Sequence, residues 1–174
     1  MTQAEEILPS KAATEAKFLA DRMLGRLAKW LRIIGYDTVY VRHLSPVGLM
    51  REGRQQGRLI LTRDTRVARY KNAPPFLFIR SDRFREQLKQ VVETLKLDPY
   101  ARLLSRCVEC NRLLEGVARE KVRERVPPYV WETQVEFVHC PSCRRTYWGA
   151  THKEHVLTEL KGLGIIAHET SGRD

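Results

Sequence analysis

Apolar positions in this chain come in short blocks whose period switches repeatedly. Lys17-Phe18-Leu19-Ala20 is a brief apolar strand ending at Asp21. Leu24, Leu27, Ala28, Leu31 and Ile34 then recur at i, i+3, i+4, i+7 spacing, with Arg22, Arg26 and Lys29 on another face. This predicts an amphipathic helix stopped at Gly35. Tyr36–Val41 reads as a second strand, and a helix from about Val47 to Gln56 follows Pro46 and ends at Gly57. Arg58–Thr62 is a third strand with Asp64 just past it; a short helix covers Thr65–Tyr70 before Pro74-Pro75 breaks the chain. Phe76–Arg80 is a fourth strand with Asp82 just past it, and Leu88, Val91, Val92 and Leu95 mark a further helix. Strands alternating with helices predict an α/β fold over residues 17–105, a three-layer, mostly parallel sheet.

In such sheets ligands bind beyond the carboxyl ends of the strands. Three strands each deliver an aspartate to that edge: Asp21, Asp64 and Asp82. Singly, Asp21 and Asp82 also read as helix N-caps. Together, three carboxylates converging on one edge repel one another unless a hard divalent cation neutralises them, and Mg²⁺ or Mn²⁺ suits oxygen ligands.

Charge sharpens this picture. The chain has 174 residues and a formal net charge of +10. Residues 17–105 hold nearly all of the excess, with 19 Lys and Arg against 8 Asp and Glu. A localised basic field favours polyanions, nucleic acid first among them. No apolar run approaches the roughly 18 residues of a spanning helix, so no membrane partner is expected. Residues 1–16 carry Glu5, Glu6 and Glu15 without an apolar stretch, which reads as an N-terminal extension rather than a signal peptide and makes a cytoplasmic location the expectation.

Two CxxC pairs, Cys107/Cys110 and Cys140/Cys143, account for all four cysteines. Each spacing lets one tight turn aim two thiolates at a tetrahedral ion, so the pairs together predict a structural zinc site. The 29 residues between them exceed the usual 15–20, which predicts a ribbon over 106–150 carrying an insertion. Disulfides are disfavoured in a cytosolic chain, and neither pair opens a helix after a strand as a redox pair would. His139, His152 and His155 are read as ordinary histidines, since four thiolates suffice. Within the ribbon, Ala118–Arg125 alternates in sign and reads as a solvated helix. Tyr129, Trp131, Tyr147 and Trp148 could stack on bases or fill a small core; packing is expected for Trp148, and Tyr129 and Trp131 stay open. Residues 151–174 read as a helix to about Leu160 followed by a tail.

Taken in order, Phe18-Leu19-Ala20-Asp21-Arg22-Met23-Leu24-Gly25-Arg26-Leu27-Ala28-Lys29-Trp30-Leu31-Arg32, Gly35-Tyr36-Asp37-Thr38, Leu61-Thr62-Arg63-Asp64, Arg80-Ser81-Asp82, the two cysteine pairs, Val126-Pro127-Pro128-Tyr129-Val130 and Tyr147-Trp148 resemble the mut-seven C-terminal RNase-domain family. The resemblance covers residues 17 to about 155. It implies a PIN-like nuclease fold followed by a zinc ribbon, metal-dependent ribonuclease activity, and site acids at Asp21, Asp64 and Asp82. One departure stands out: where the family has an acidic run after the second strand, this chain has Arg42-His43-Leu44-Ser45-Pro46. Glu52 and Asp37 are the nearest replacement carboxylates.

The leading expectation is hydrolysis of RNA by an aspartate-held Mg²⁺ or Mn²⁺. Thr62 and Ser81 would orient ligands or water around the aspartates, and Arg22, Arg26, Lys29 and Arg63 would meet the RNA backbone. The zinc ribbon would position RNA or a protein partner. The rival expectations are a non-catalytic RNA-binding or ribosome-associated module and, less favoured because the excess charge lies outside the ribbon, a DNA-binding zinc-ribbon regulator.

Overall fold

A computed structural model describes residues 15–166 of the chain. Most of the expected N-terminal extension and the end of the C-terminal tail lie outside the described residues. The chain divides between Asn111 and Arg112 into two compact units.

The first unit holds four strands, β1 (Lys17–Ala20), β2 (Asp37–Tyr40), β3 (Leu59–Thr62) and β4 (Phe76–Phe78), all parallel in the order β2-β1-β3-β4. Helix α1 (Gly25–Ile33) links β1 to β2, α2 (Pro46–Gln56) links β2 to β3, and α3 (Phe84–Leu95) follows β4. The β1–β2 connection and the β2–β3 connection run in opposite directions across the sheet. Because such crossovers are right-handed, α1 and α2 must fall on opposite faces. The packing agrees: α1 lies against α3, β1 and β2, while α2 lies against β3 and a 3₁₀ turn at Val67–Arg69. That turn stands in place of the short helix expected over Thr65–Tyr70.

Strand alternation divides the core. Leu19 and Ile60 pack with Leu49, Met50 and Val67 on the α2 side. Phe18, Ala20 and Leu61, on the opposite strand face, are fully buried, as are Leu27, Leu31 and Leu88 of α1 and α3. Each of the leucine and phenylalanine side chains among them contributes roughly 1.5–3 kcal/mol of burial. Helix α2 approaches β3 closely because Gly53 has no side chain: a Cβ there would lie 2.7 Å from Ile60 Cγ1. Ser45 caps α2 by accepting from the Gly48 N–H at 3.2 Å, and Gly57, in the left-handed region at φ 59°, ends it.

One edge of the sheet is tied to the first cysteine pair. The Arg32 guanidinium, on a residue 7% exposed, donates from Nε to the Thr38 carbonyl at 2.8 Å and from Nη1 to the carbonyls of Val108 (2.8 Å) and Glu109 (2.9 Å). Burial pushes its pKa down, with Glu109 and Cys107 opposing. Asn111 completes the tie: its Oδ1 accepts from the Thr38 N–H at 3.0 Å and its Nδ2 donates to Asp37 at 2.7 Å.

The second unit holds a three-stranded antiparallel sheet, β5 (Glu115–Gly116), β6 (Phe137–His139) and β7 (Thr146–Trp148), with the short helix α4 (Pro128–Thr133) and the longer α5 (Ala150–Gly162). Its core gathers Val122, Val126, Val130 and Phe137, with Trp131 packed against it. Val122 is buried within a 3₁₀ helix over Arg119–Arg125, so the expected solvated helix is instead anchored on one side. Trp131 lies under the guanidinium groups of Arg119 (4.3 Å) and Arg123 (5.9 Å). Trp148 is 37% exposed rather than packed away; it is the last residue of a short edge strand, where one flank has no neighbour.

Arg32→Met removes the donors of three carbonyls at once. The expected cost is about 2–4 kcal/mol, read as a lower urea midpoint with an unchanged slope.

Candidate functional site

The reversal of chain direction across the sheet falls between β1 and β3, and such a reversal opens a crevice at the carboxyl ends of the two strands. Asp21 follows β1 there and is 6% exposed. Its Oδ1 accepts from the Met23 N–H at 2.8 Å; its Oδ2 accepts from the Thr62 hydroxyl at 2.5 Å and the Arg63 N–H at 2.9 Å. Thr62 in turn accepts from the Asp64 N–H at 2.9 Å. A continuous chain of hydrogen bonds therefore links Asp21 through Thr62 to Asp64. Because the donors face both carboxylate oxygens, Asp21 is held in one orientation at the strand end.

Asp64 has a different partner. Arg66 lays its guanidinium across the carboxylate, Nη2 to Oδ2 at 2.6 Å and Nε to Oδ1 at 2.9 Å, while the Arg66 N–H donates to Oδ1 at 2.9 Å. The Arg66 hydrogen bonds lower the Asp64 pKa to about 2, with Arg22 adding to the effect. Asp21, Asp64 and Arg66 border one cavity of about 430 Å³, together with Arg22, Arg42 and His43. Arg66 was not singled out from the sequence, because a pairing two residues apart is not a helical spacing. The signal available was the Asp-x-Arg order just past a strand end.

Asp82 is exposed and borders a neighbouring cavity of about 500 Å³, beside Met23, Arg26 and Phe84. Among the described residues, Asp21, Asp64 and Asp82 do not form a group of ligand-distance carboxylates. Ser81 Oγ accepts from the Arg83 N–H at 3.0 Å, a turn contact at the entry to α3. Of the basic side chains, Arg22 borders the Asp21 cavity and Arg26 lies over the Phe84 ring at 4.2 Å. Arg63 donates to the Arg80 carbonyl at 3.2 Å, bracing the β3 and β4 ends, and Lys29 pairs with Glu109 at 2.8 Å. Neither replacement carboxylate joins the site. Asp37 begins β2 at the opposite edge of the sheet, paired with Arg58 at 2.6 Å. Burial would raise its pKa, but the hydrogen bonds from Arg58 and Asn111 outweigh burial and leave it lowered. Glu52 accepts from Gln56 on α2.

The four cysteines do come together: one sulfur from each of Cys107, Cys110, Cys140 and Cys143 lies within 4.8 Å of the others. Four thiolates at a Zn–S distance of about 2.3 Å sit about 3.8 Å apart in a tetrahedron, so the donor set and spacing fit a zinc ion. Both turns share one backbone design. Asn111 N–H donates to the Cys107 carbonyl and Arg144 N–H to the Cys140 carbonyl, each at 2.9 Å. Asn111 (φ 68°) and Arg144 (φ 62°) are both left-handed, which reverses the chain directly after the second cysteine of each pair.

Two outcomes are expected. In a ¹³C-detected titration Asp64 ionises near pH 2, and Arg66→Ala moves it upward toward the ordinary aspartate value of about 3.9. Cobalt substituted into the four-cysteine cluster gives the intense thiolate-to-metal absorption of a tetrahedral site, and replacing Cys110 with Ser weakens it.

The family model described as Mut7-C RNAse domain matches residues 16–160. No curated protein matches the chain. Among the described residues no helix is long and apolar enough to cross a membrane. The family match runs from the start of β1 into α5, well over half of the sequence, and the chain belongs to the Mut7-C RNAse domain family.

Proposed function

We propose that this protein is a metal-dependent ribonuclease that hydrolyses RNA phosphodiester bonds at the crevice between β1 and β3. The observation that carries the reading is the Asp21–Thr62–Asp64 chain of hydrogen bonds at the point where the sheet reverses direction, in a chain of an RNase-domain family. Asp21 and Asp64 offer hard oxygen donors, which suits Mg²⁺ or Mn²⁺. Asp21 keeps about one lone-pair site free after accepting three hydrogen bonds, and the Arg66 contact on Asp64 is one a cation can replace. A cation held there would lower the pKa of a bound water and offset the negative charge developing on the phosphoryl oxygens.

The remaining work falls to the protein. Thr62 holds the Asp21 carboxylate in place and fixes the Asp64 backbone. Arg22 presents positive charge at the cavity rim, Arg26 presents its guanidinium over Phe84 beside it, and Arg63 holds the strand ends together. Asp82, at the neighbouring cavity, is the third carboxylate of this reading. Lys29, engaged with Glu109, serves the fold in this scheme. The thiolate cluster holds a structural zinc, whose four sulfurs leave no open position for chemistry, and the second unit positions RNA or a protein partner. A cytoplasmic setting, where thiols persist reduced, completes the reading.

A second reading, a non-catalytic RNA-binding module, is favoured by one observation: the cavity that holds Asp21 and Asp64 is also bordered by Arg22, Arg42, His43 and Arg66. Incubation of labelled single-stranded RNA with Mn²⁺ separates the two. Wild type should cleave, EDTA should stop it, and Asp64→Asn should lower the rate by about 100-fold or more. Activity that survives Asp64→Asn sinks the nuclease reading. RNA binding without cleavage under any metal supports the module.

A further inference from the structure

The cavity at Asp21 is unusual for a cation site because cationic side chains outnumber carboxylates around it. Arg22, Arg42 and Arg66 border it with His43, against Asp21 and Asp64. Both carboxylates are engaged within the chain, Asp21 by two N–H groups and a hydroxyl, Asp64 by the Arg66 fork. What the cavity offers to a ligand is therefore mainly guanidinium. At 430 Å³ it has room for a phosphodiester group with part of its sugar. Guanidinium groups recognise phosphate oxygens in the same forked geometry that Arg66 now spends on Asp64.

The Arg66–Asp64 pair is also placed to be exchanged. The Arg66 side chain is 59% exposed, so water screens the pair and swinging the arginine outward breaks no packing. The Arg66 backbone N–H keeps its own bond to Asp64 Oδ1, so the turn survives when the guanidinium leaves. Removing the guanidinium frees the Asp64 carboxylate at the cavity it shares with Asp21.

We propose that Arg22, Arg42, His43 and Arg66 form a phosphodiester-binding subsite, and that a bound phosphate draws Arg66 off Asp64 and so frees Asp64 for a divalent cation. The proposal rests on the ribonuclease reading for the metal half of the exchange, and the phosphate half stands without it. Substrate and metal then bind cooperatively, and by linkage each tightens the other by the same factor. Without RNA the arginine competes with the cation for Asp64, so metal binds more weakly until a phosphate arrives.

The test uses zinc-loaded full-length protein and a short 2′-O-methyl oligoribonucleotide, checked intact by gel after each titration. With no Mg²⁺ or Mn²⁺ added, anisotropy of the labelled oligonucleotide reads the phosphate subsite alone; Arg42→Ala and Arg66→Ala should each weaken binding by about threefold or more, as loss of a phosphate contact does. Unchanged affinity in both overturns the subsite. Electron paramagnetic resonance of free Mn²⁺ then reads metal affinity. In wild type the oligonucleotide should tighten Mn²⁺ by about fivefold. In Arg66→Ala, Mn²⁺ alone should bind tighter than to wild type, and the oligonucleotide should add little. Equal Mn²⁺ affinities for the two proteins, or an undiminished fivefold effect in Arg66→Ala, overturns the exchange, as does wild type that takes no Mn²⁺. Thermal melts confirm that both variants fold. Failure of the nuclease reading shows elsewhere, as absence of cleavage of unmodified RNA while these equilibria hold.

Discussion

The handedness of parallel crossovers governs everything built on this chain. Four parallel strands in the order β2-β1-β3-β4 force the connections to leave β1 and β3 in opposite directions. The loops at those two strand ends therefore diverge, and beyond the last backbone bond, from the Asp21 N–H to the Leu61 carbonyl at 3.1 Å, side chains span the gap. Asp21 and Thr62 make that bridge. A carboxylate in this position is both a fastener of the strand ends and part of the wall of a crevice. Removing its charge would disturb both, which makes Thr62 and Arg66 the cleaner handles on the site.

A second theme is how arginine is used. Arg32 is buried and serves three backbone carbonyls; Arg58 and Arg106 surround Asp37 at the opposite sheet edge; Arg119 covers Trp131. The basic excess of the first unit is thus not a uniform coat for a polyanion. Part of it is structural, part is paired, and the share facing the crevice is concentrated in Arg22, Arg42 and Arg66. Net charge alone cannot make that division.

Much of this was legible in sequence where local rules decide. The 3.6-residue spacing of Leu24, Leu27, Leu31 and Ile34, the stop at Gly35 and the strand Leu59–Thr62 follow from periodicity and turn chemistry. The placement of Asp21 and Asp64 past two strands was readable too, since any parallel sheet presents those ends together. What was not readable depends on distant pairings or on loop shape. Lys29 meets Glu109 eighty positions away, and Asp37 is spent on Arg58 and Asn111. Asp82 sits past an adjacent strand, yet the turn into α3 gives it to a neighbouring cavity. The exposed Trp148 depends on which strand of the second sheet lies at the edge, an ordering that its own residues do not encode.

The Asn111 contact with β2 has a consequence for zinc deprivation. β2 is an outer strand, and at Thr38 both of its outward backbone groups are occupied, the N–H by Asn111 and the carbonyl by Arg32. Asn111 holds its left-handed conformation directly after Cys110, and metal-binding free energy in a cysteine turn of this kind becomes folding free energy. A chain starved of zinc would loosen that turn and uncover a bare strand margin able to pair with another molecule. Metal held by the four cysteines would thereby also protect against self-association.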